Sequence, residues 1–273
     1  MKFFLVFILF FLSGVLSAKE SGFSLSAALV GMSMDYREYD DSDYILDSEE
    51  SNFGEMTGGD FTFVYTEALV SDNYMELSAN LGLIAGETEY VGSYIDSELG
   101  YGSVVERTKN IIFDSSVEYE FNQVFENGVE LSYGIGLGYR SWRRELSPSQ
   151  IEVYTWYSLR QKTAISYSLK NFSFGAGFEY QHGVNPTMTI LADYENPDTT
   201  VNLRSANIVE LTLPMYVTLN EKLELFVEYI YQHQTIEKSN MAPYVFNGMP
   251  TRVYEPRSTA YNQYTKFGAV FKF

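Results

Sequence analysis

A two-residue rhythm recurs along this chain over stretches of about ten residues or more. Successive side chains of an extended strand point to opposite faces, so alternation of apolar and polar residues marks a strand that is greasy on one side only. Met75, Leu77, Ala79, Leu81, Leu83 and Ala85 share one parity, opposite Glu76, Ser78, Asn80, Gly82 and Gly86. Leu131, Tyr133, Ile135, Leu137 and Tyr139 oppose Ser132, Gly134, Gly136, Gly138 and Arg140. Similar stretches follow around residues 111–121, 160–169, 172–181, 209–219, 223–232 and 266–273, and two weaker ones open the series at about 23–39 and 51–65. That makes ten strands. Charge and glycine fall mid-strand on the polar parity, which fits the lumen of a closed barrel better than the surface of a soluble sandwich.

The expected fold is therefore all-β: a transmembrane antiparallel up-and-down barrel over residues 19–273, located in the bacterial outer membrane. The segments between strands support this by alternating in length. Long ones are expected at about 40–50, 90–106, 183–200 and 238–258, with a short member of that series at 146–150. Short turns are expected at 66–73, 122–128, Lys170 and Asn171, and 220–222. Long loops outside and short periplasmic turns are the usual asymmetry, and an even strand number leaves both termini on the periplasmic side.

The N-terminus carries an export signal. Lys2 precedes an apolar run over residues 3–12, and Ser13, Gly14, Ser17 and Ala18 supply the small residues of a cleavage site. The run is too short to span a bilayer, which takes about 20 apolar residues. Cleavage after Ala18 removes one lysine and no acid, taking the formal charge from -18 to -19. A surface this acidic would repel phosphate, so nucleic acid is not an expected partner; outer-membrane lipid and lipopolysaccharide are. With no cysteine there is neither a disulfide nor a thiolate metal site, and no cofactor is implied. The acidic run of Asp40, Asp41, Asp43, Asp47, Glu49 and Glu50 lacks the remaining signature of a calcium loop and reads as a solvated loop.

The polar parity defines the lumen. Its charges include Glu76, Asp114, Glu118, Glu120, Glu130, Glu224, Arg144 and Lys272, and the expected ionic network centres on Arg140, Arg160, Lys162, Glu179, Glu210, Glu228 and Lys266. Buried charges must pair. If Lys170 and Asn171 form a two-residue turn, facing residues have numbers summing to 341, which sets Lys162 opposite Glu179 and Arg160 opposite Gln181. Arg160, Lys162, Glu179 and Glu210 are then expected to form a salt-bridged plug. Ten strands leave a bore only slightly wider than one that side chains fill. Pro214 falls mid-strand and should interrupt the ladder there. Trp142 and Trp156, with Tyr139, Tyr157, Tyr180, Tyr229 and Tyr231, are assigned to an outer aromatic girdle. Tyr119, Phe121, Tyr167, Phe172, Phe271 and Phe273 form the inner one.

The last residues, Tyr264-Thr-Lys-Phe-Gly-Ala-Val-Phe-Lys-Phe273, resemble the closing strand of bacterial outer-membrane β-barrel proteins. That resemblance implies that Phe273, in step with Phe271 and Phe267, is the signal read by the barrel-assembly machinery. The ten-strand size also resembles the omptin proteases, whose site joins an aspartate pair to an Asp-x-His motif. Here the histidines stand in Tyr180-Gln181-His182-Gly183 and Tyr231-Gln232-His233-Gln234, and neither has an aspartate two residues earlier. The expected function is that of a structural or interaction barrel, or a narrow pore, without enzymatic activity. An outer-membrane hydrolase, or a transporter of small hydrophobic solutes using the inward Phe226 and Ile230, is the alternative. Mass measurement of the exported protein should give a chain beginning at Lys19; an intact Met1 end would contradict the assigned signal.

Overall fold

In the computed structural model, residues 21–69, 73–93, 100–147, 150–191, 198–246 and 249–273 are described. The expected signal peptide, residues 1–18, lies outside them. Among the described residues the chain is built of strands: β1 (Gly22–Tyr39), β2 (Ile45–Glu50), β3 (Met56–Ala68), β4 (Tyr74–Gly92), β5 (Val104–Val124), β6 (Val129–Ser147), β7 (Gln150–Leu169), β8 (Phe172–Leu191), β9 (Thr199–Asn202), β10 (Ala206–Asn220), β11 (Leu223–Ile236), β12 (Ala242–Phe246), β13 (Met249–Val253) and β14 (Arg257–Lys272). Two staves of the wall are split: β2 with β3 forms one, and β9 with β10 another. The wall thus has ten staves, each antiparallel to its neighbours. It closes where β14 meets β1, from Ser24 opposite Lys272 to Tyr39 opposite Arg257. β12 and β13 form a separate hairpin in the connection between β11 and β14.

Parity sorts the side chains as the alternation demands. Leu29, Ile135 and Phe267 point outward and are 75, 67 and 57% exposed, whereas Met32, Tyr36 and Met56 are fully buried inside. The outer face stays apolar from the periplasmic turns up to the level of Tyr157, Tyr180 and Tyr229. Above that level it turns polar, with Asp35, Arg37, Arg143 and Glu145 facing out. The 21-residue β5 shows why: a tilted strand needs only about 9–11 residues to cross a bilayer. The upper half of the barrel therefore stands clear of the membrane.

Several strands run further than their hydropathy indicates. Residues 45–50, expected in a loop, form β2, and β8 continues through residues expected in the next loop to Leu191. Outside the membrane neither face needs to be greasy, so alternation fades while backbone pairing continues. The β7–β8 hairpin has the expected register: Lys162 faces Glu179 and Arg160 faces Gln181. At Pro214 the ladder to β8 lapses between Thr212–Gly177 and Met215–Phe174 without a register shift, because proline has no N–H to donate.

A charge placed on the belt tests the orientation. Ile135→Arg should destabilise the barrel by about 2–4 kcal/mol, the usual depth-dependent cost near a bilayer midplane. Equilibrium unfolding from lipid vesicles measures it; a change below about 0.5 kcal/mol, typical of a water-facing site, would contradict the placement.

Candidate functional site

The bore is filled in three tiers. The lowest is ionic and lies within the membrane-spanning stretch. Arg160 Nε donates to Glu179 Oε1 at 2.6 Å, and its Nη1 lies 3.2 Å from Glu118. Lys162 Nζ sits 2.9 Å from Glu118 and 2.6 Å from Glu120. Lys266 lies 3.3 Å from Asp60 and 3.6 Å from Glu228. Slightly higher, Arg140 bonds Asp114 at 2.9 Å and Gln234 at 2.9 Å.

The structure thus places all seven residues of the expected network inside, but joins them differently. Lys162 faces Glu179 across the hairpin yet reaches over β6 to the carboxylates of β5. Glu210 is held by the amides of Gln181 at 3.2 Å and Gln232 at 2.6 Å, with no cation in ion-pair contact among the described residues. The reason lies in β6. Gly134, Gly136 and Gly138 present no side chains to the lumen, and the long cationic stems of β7 lie over them. A Cβ on Gly134 would come within 2.8 Å of Lys162 Cγ, and one on Gly136 within 2.6 Å of Glu118 Cγ and 2.8 Å of the Val117 carbonyl oxygen.

The middle tier is apolar. Met32, Met34, Met56, Ile112, Trp142, Trp156 and Ile208 pack across the bore. Both tryptophans are therefore inside, correcting their assignment to the outer girdle. Trp142 shares the parity of Arg140, and Trp156 that of Arg160. Trp142 Nε1 donates to Asn110 Oδ1 at 2.8 Å. The gap bounded by Met34, Ile112, Arg140, Trp142, Gln234, Ala260 and Asn262 is too small to hold water. A hollow of about 260 Å³ at Met215, Val217, Leu225, Val227 and Phe267, bordered by Phe226 and Gly268, has a mostly lipid-facing lining.

The top tier centres on Arg144, above the apolar belt. Its guanidinium lies 3.0 Å from Glu38, 2.7 Å from Glu49 and 3.0 Å from Glu152. It also donates to Tyr154 Oη at 2.9 Å and lies 4.5 Å from the centroid of the Tyr36 ring. Glu49, read from sequence as part of a solvated acidic loop, is fully buried; Thr88 and Asn110 donate to its second oxygen. Glu255, from the β13–β14 connection, is 3% exposed and accepts the Tyr154 hydroxyl at 2.5 Å. The sequence signal for this tier was Arg144 on the lumen parity; of its partners, Tyr36 and Glu38 end the weak first stretch, and Glu49 and Glu152 lie outside the alternating stretches.

Neither histidine joins these tiers. His182 faces outward with Nδ1 2.8 Å from Asn207 Oδ1, and His233 stacks on Tyr261 at 4.5 Å. Phe267, Phe271 and Phe273 are exposed on the outer face of the closing strand.

Neither a protein-family model nor a curated protein sequence matches the chain. Among solved structures, the outer membrane protease OmpT from Escherichia coli is similar with a TM-score of 0.63 at 12% identity, covering 95% of this chain and 99% of that one. The translocator domain of the autotransporter NalP from Neisseria meningitidis is similar with a TM-score of 0.43 at 10% identity, covering 93% of this chain and 90% of that one, too weak a likeness to carry an argument. At such identity the likeness to OmpT is one of fold. Together with the apolar belt, it makes the chain an outer-membrane β-barrel.

Two substitutions test the packing. Gly136→Val forces Glu118 and the β5 backbone aside and should cost about 1–3 kcal/mol, as overpacking does. Arg144→Met strands three buried carboxylates and should cost about 3–5 kcal/mol. Unfolding midpoints in detergent or lipid report both, and unchanged midpoints would contradict the tiers.

Proposed function

We propose that this outer-membrane barrel is a closed scaffold presenting its extracellular rim, and neither a diffusion pore nor a hydrolase. One observation carries the reading: the bore is shut by side chains from every stave. Met32 of β1, Met56 of β3, Thr88 of β4, Thr108 of β5, Tyr154 of β7, Val201 of β9 and Ala206 of β10 are wholly inaccessible to solvent. Arg144 of β6, Met188 of β8, Ile236 of β11 and Ala260 of β14 are 1% exposed. A conducting path would wet at least one line of such residues along the axis, since ions cross only where water or coordinating groups replace their hydration shell.

The non-enzymatic reading is supported by the histidines. A general base works within hydrogen-bond reach of a nucleophile and an orienting partner. His182 bonds an amide, and His233 lies against a tyrosine ring, both on the outer face. A rim role is supported by the β12–β13 hairpin, which stands outside the wall's hydrogen bonding.

Recordings in planar bilayers test the proposal. The refolded protein should leave conductance at the level of the bare membrane. Discrete, reproducible channel steps would overturn the closed reading in favour of a narrow pore.

A further inference from the structure

The top tier holds more carboxylates than its single guanidinium can neutralise, and one of them does not belong to the wall. Glu255 hangs from the β13–β14 connection and reaches down into the mouth. Its backbone is clamped to the other leg of the same connection. Glu255 N donates to Ser239 Oγ at 2.7 Å, and Ser239 N donates to the Glu255 carbonyl oxygen at 3.0 Å. That leg is in turn tied to the break between β9 and β10. Asn240 N donates to the Asn202 carbonyl oxygen at 3.1 Å, and Glu237 N to that of Ser205 at 2.9 Å. Ala242 of β12, in the same connection, is buried against the apolar cluster.

Around Glu255 stand Tyr36 and Glu38 of β1, Arg144 of β6, and Glu152 and Tyr154 of β7. One step further out are Glu49 of β2 beside Arg144, Asp47 of β2 with Tyr90 of β4, and Ser258 of β14 beside Tyr36. At the outer edge Lys238 and Arg257 pair with Asp41 and Asp43 of the β1–β2 turn.

We propose that Glu255 is the latch of a proton-operated lid, in which the β11–β14 connection seats on the Arg144 tier while its carboxylates share protons and lifts when they are all ionised. Five carboxylates around one guanidinium repel one another once charged. Four are fixed in strands, so Glu255 is the one free to leave. Arg144 is already engaged by Glu38, Glu49 and Glu152 and offers Glu255 no direct ion pair. Burial, and then Glu38 and Glu152, hold the Glu255 carboxyl well above the usual carboxylate range. Burial likewise raises Glu152, and burial followed by Glu38 pushes Asp47 up to about 7. These groups keep protons in the seated state that they would lose in water. The seated state is therefore favoured at low pH and weakens as pH rises from the ordinary carboxylate range up to their seated values, which for Asp47 is about 7. The apolar tier beneath stays packed in either position, so the lid uncovers a cup without opening the bore, and its behaviour is separable from conductance.

The chain has no cysteine, so one introduced thiol reports alone. Ala242→Cys places it on the buried side of the lid, and Ser42→Cys places a reference on the exposed β1–β2 turn. The full-length mature protein is refolded into vesicles, its fold checked by the mobility of the unboiled barrel on a gel, and labelled with a water-soluble thiol reagent. The labelling rate of the covered thiol, divided by that of the reference, should rise at least tenfold between pH 5.5 and pH 9. Glu255→Gln should hold that ratio within twofold across the same range. A flat ratio in the parent background, or a rise that persists with Glu255→Gln, would overturn the proposal. If Ala242→Cys does not fold, Val253→Cys, packed against the same cluster, gives the same reading.

Discussion

Closure of the backbone ladder is the constraint on which the rest of the molecule depends. In hydrocarbon there is no water to satisfy an N–H or C=O, and each one left unpaired costs several kcal/mol. A sheet with a free edge therefore cannot cross the bilayer. The seam between β1 and β14 removes that edge along almost the full length of both strands, and at its foot Phe273 N donates to the Phe23 carbonyl oxygen. Once the ring is shut, parity has only one consistent meaning. A slip of one residue anywhere would turn a whole stave inside out, moving residues such as Leu83 into the lumen and Glu76 or Asn80 into lipid. The alternation is thus the instruction that sets register, and the seam enforces it on every stave together.

The interior is then a problem of fitting charge into a narrow cylinder. Buried ion pairs seldom outdo well-packed apolar residues for stability, but a buried charge without a partner is costly. The barrel meets this by letting cations reach across a neighbour. Gly134, Gly136 and Gly138 flatten the inner face of β6 so that Arg160 and Lys162 lie across it to Glu118 and Glu120. The same absence of side chains that weakens a strand in isolation permits the ionic tier to form. Where acids outnumber cations, neutral amides substitute, as Gln181 and Gln232 do for Glu210.

The membrane-spanning half of the barrel was legible because hydrocarbon imposes a pattern on it. Strand positions, inward parity, the 341 register of β7 and β8 and the lapse at Pro214 all follow from that pattern and from backbone chemistry. The upper half was not legible for the complementary reason. Above the headgroups both faces tolerate polar residues, so residues 45–50 look like an acidic loop although they pair as β2 and bury Glu49. Between adjacent strands the register was legible, but which side chains pair was not: Lys162 lies opposite Glu179 yet bonds elsewhere. Lys162 with Glu118, or Arg144 with Glu38, joins residues whose meeting depends on barrel curvature and on which intervening side chains are missing. Trp142 and Trp156 show the cost of favouring a residue-type habit over parity: tryptophan is common at membrane interfaces, yet its position in the alternation sends each into the bore.

Those two tryptophans are the only ones in the chain, which makes their fluorescence a direct report on the lumen. The decisive measurement is collisional quenching in lipid vesicles, by brominated acyl chains from the lipid side and by iodide from the water side. A sealed cylinder with Trp142 and Trp156 packed inside predicts weak quenching from both directions. Strong quenching by brominated lipid would put the rings on the outer wall, and strong quenching by iodide would mean a flooded bore; either result would contradict the closed, inward-facing core.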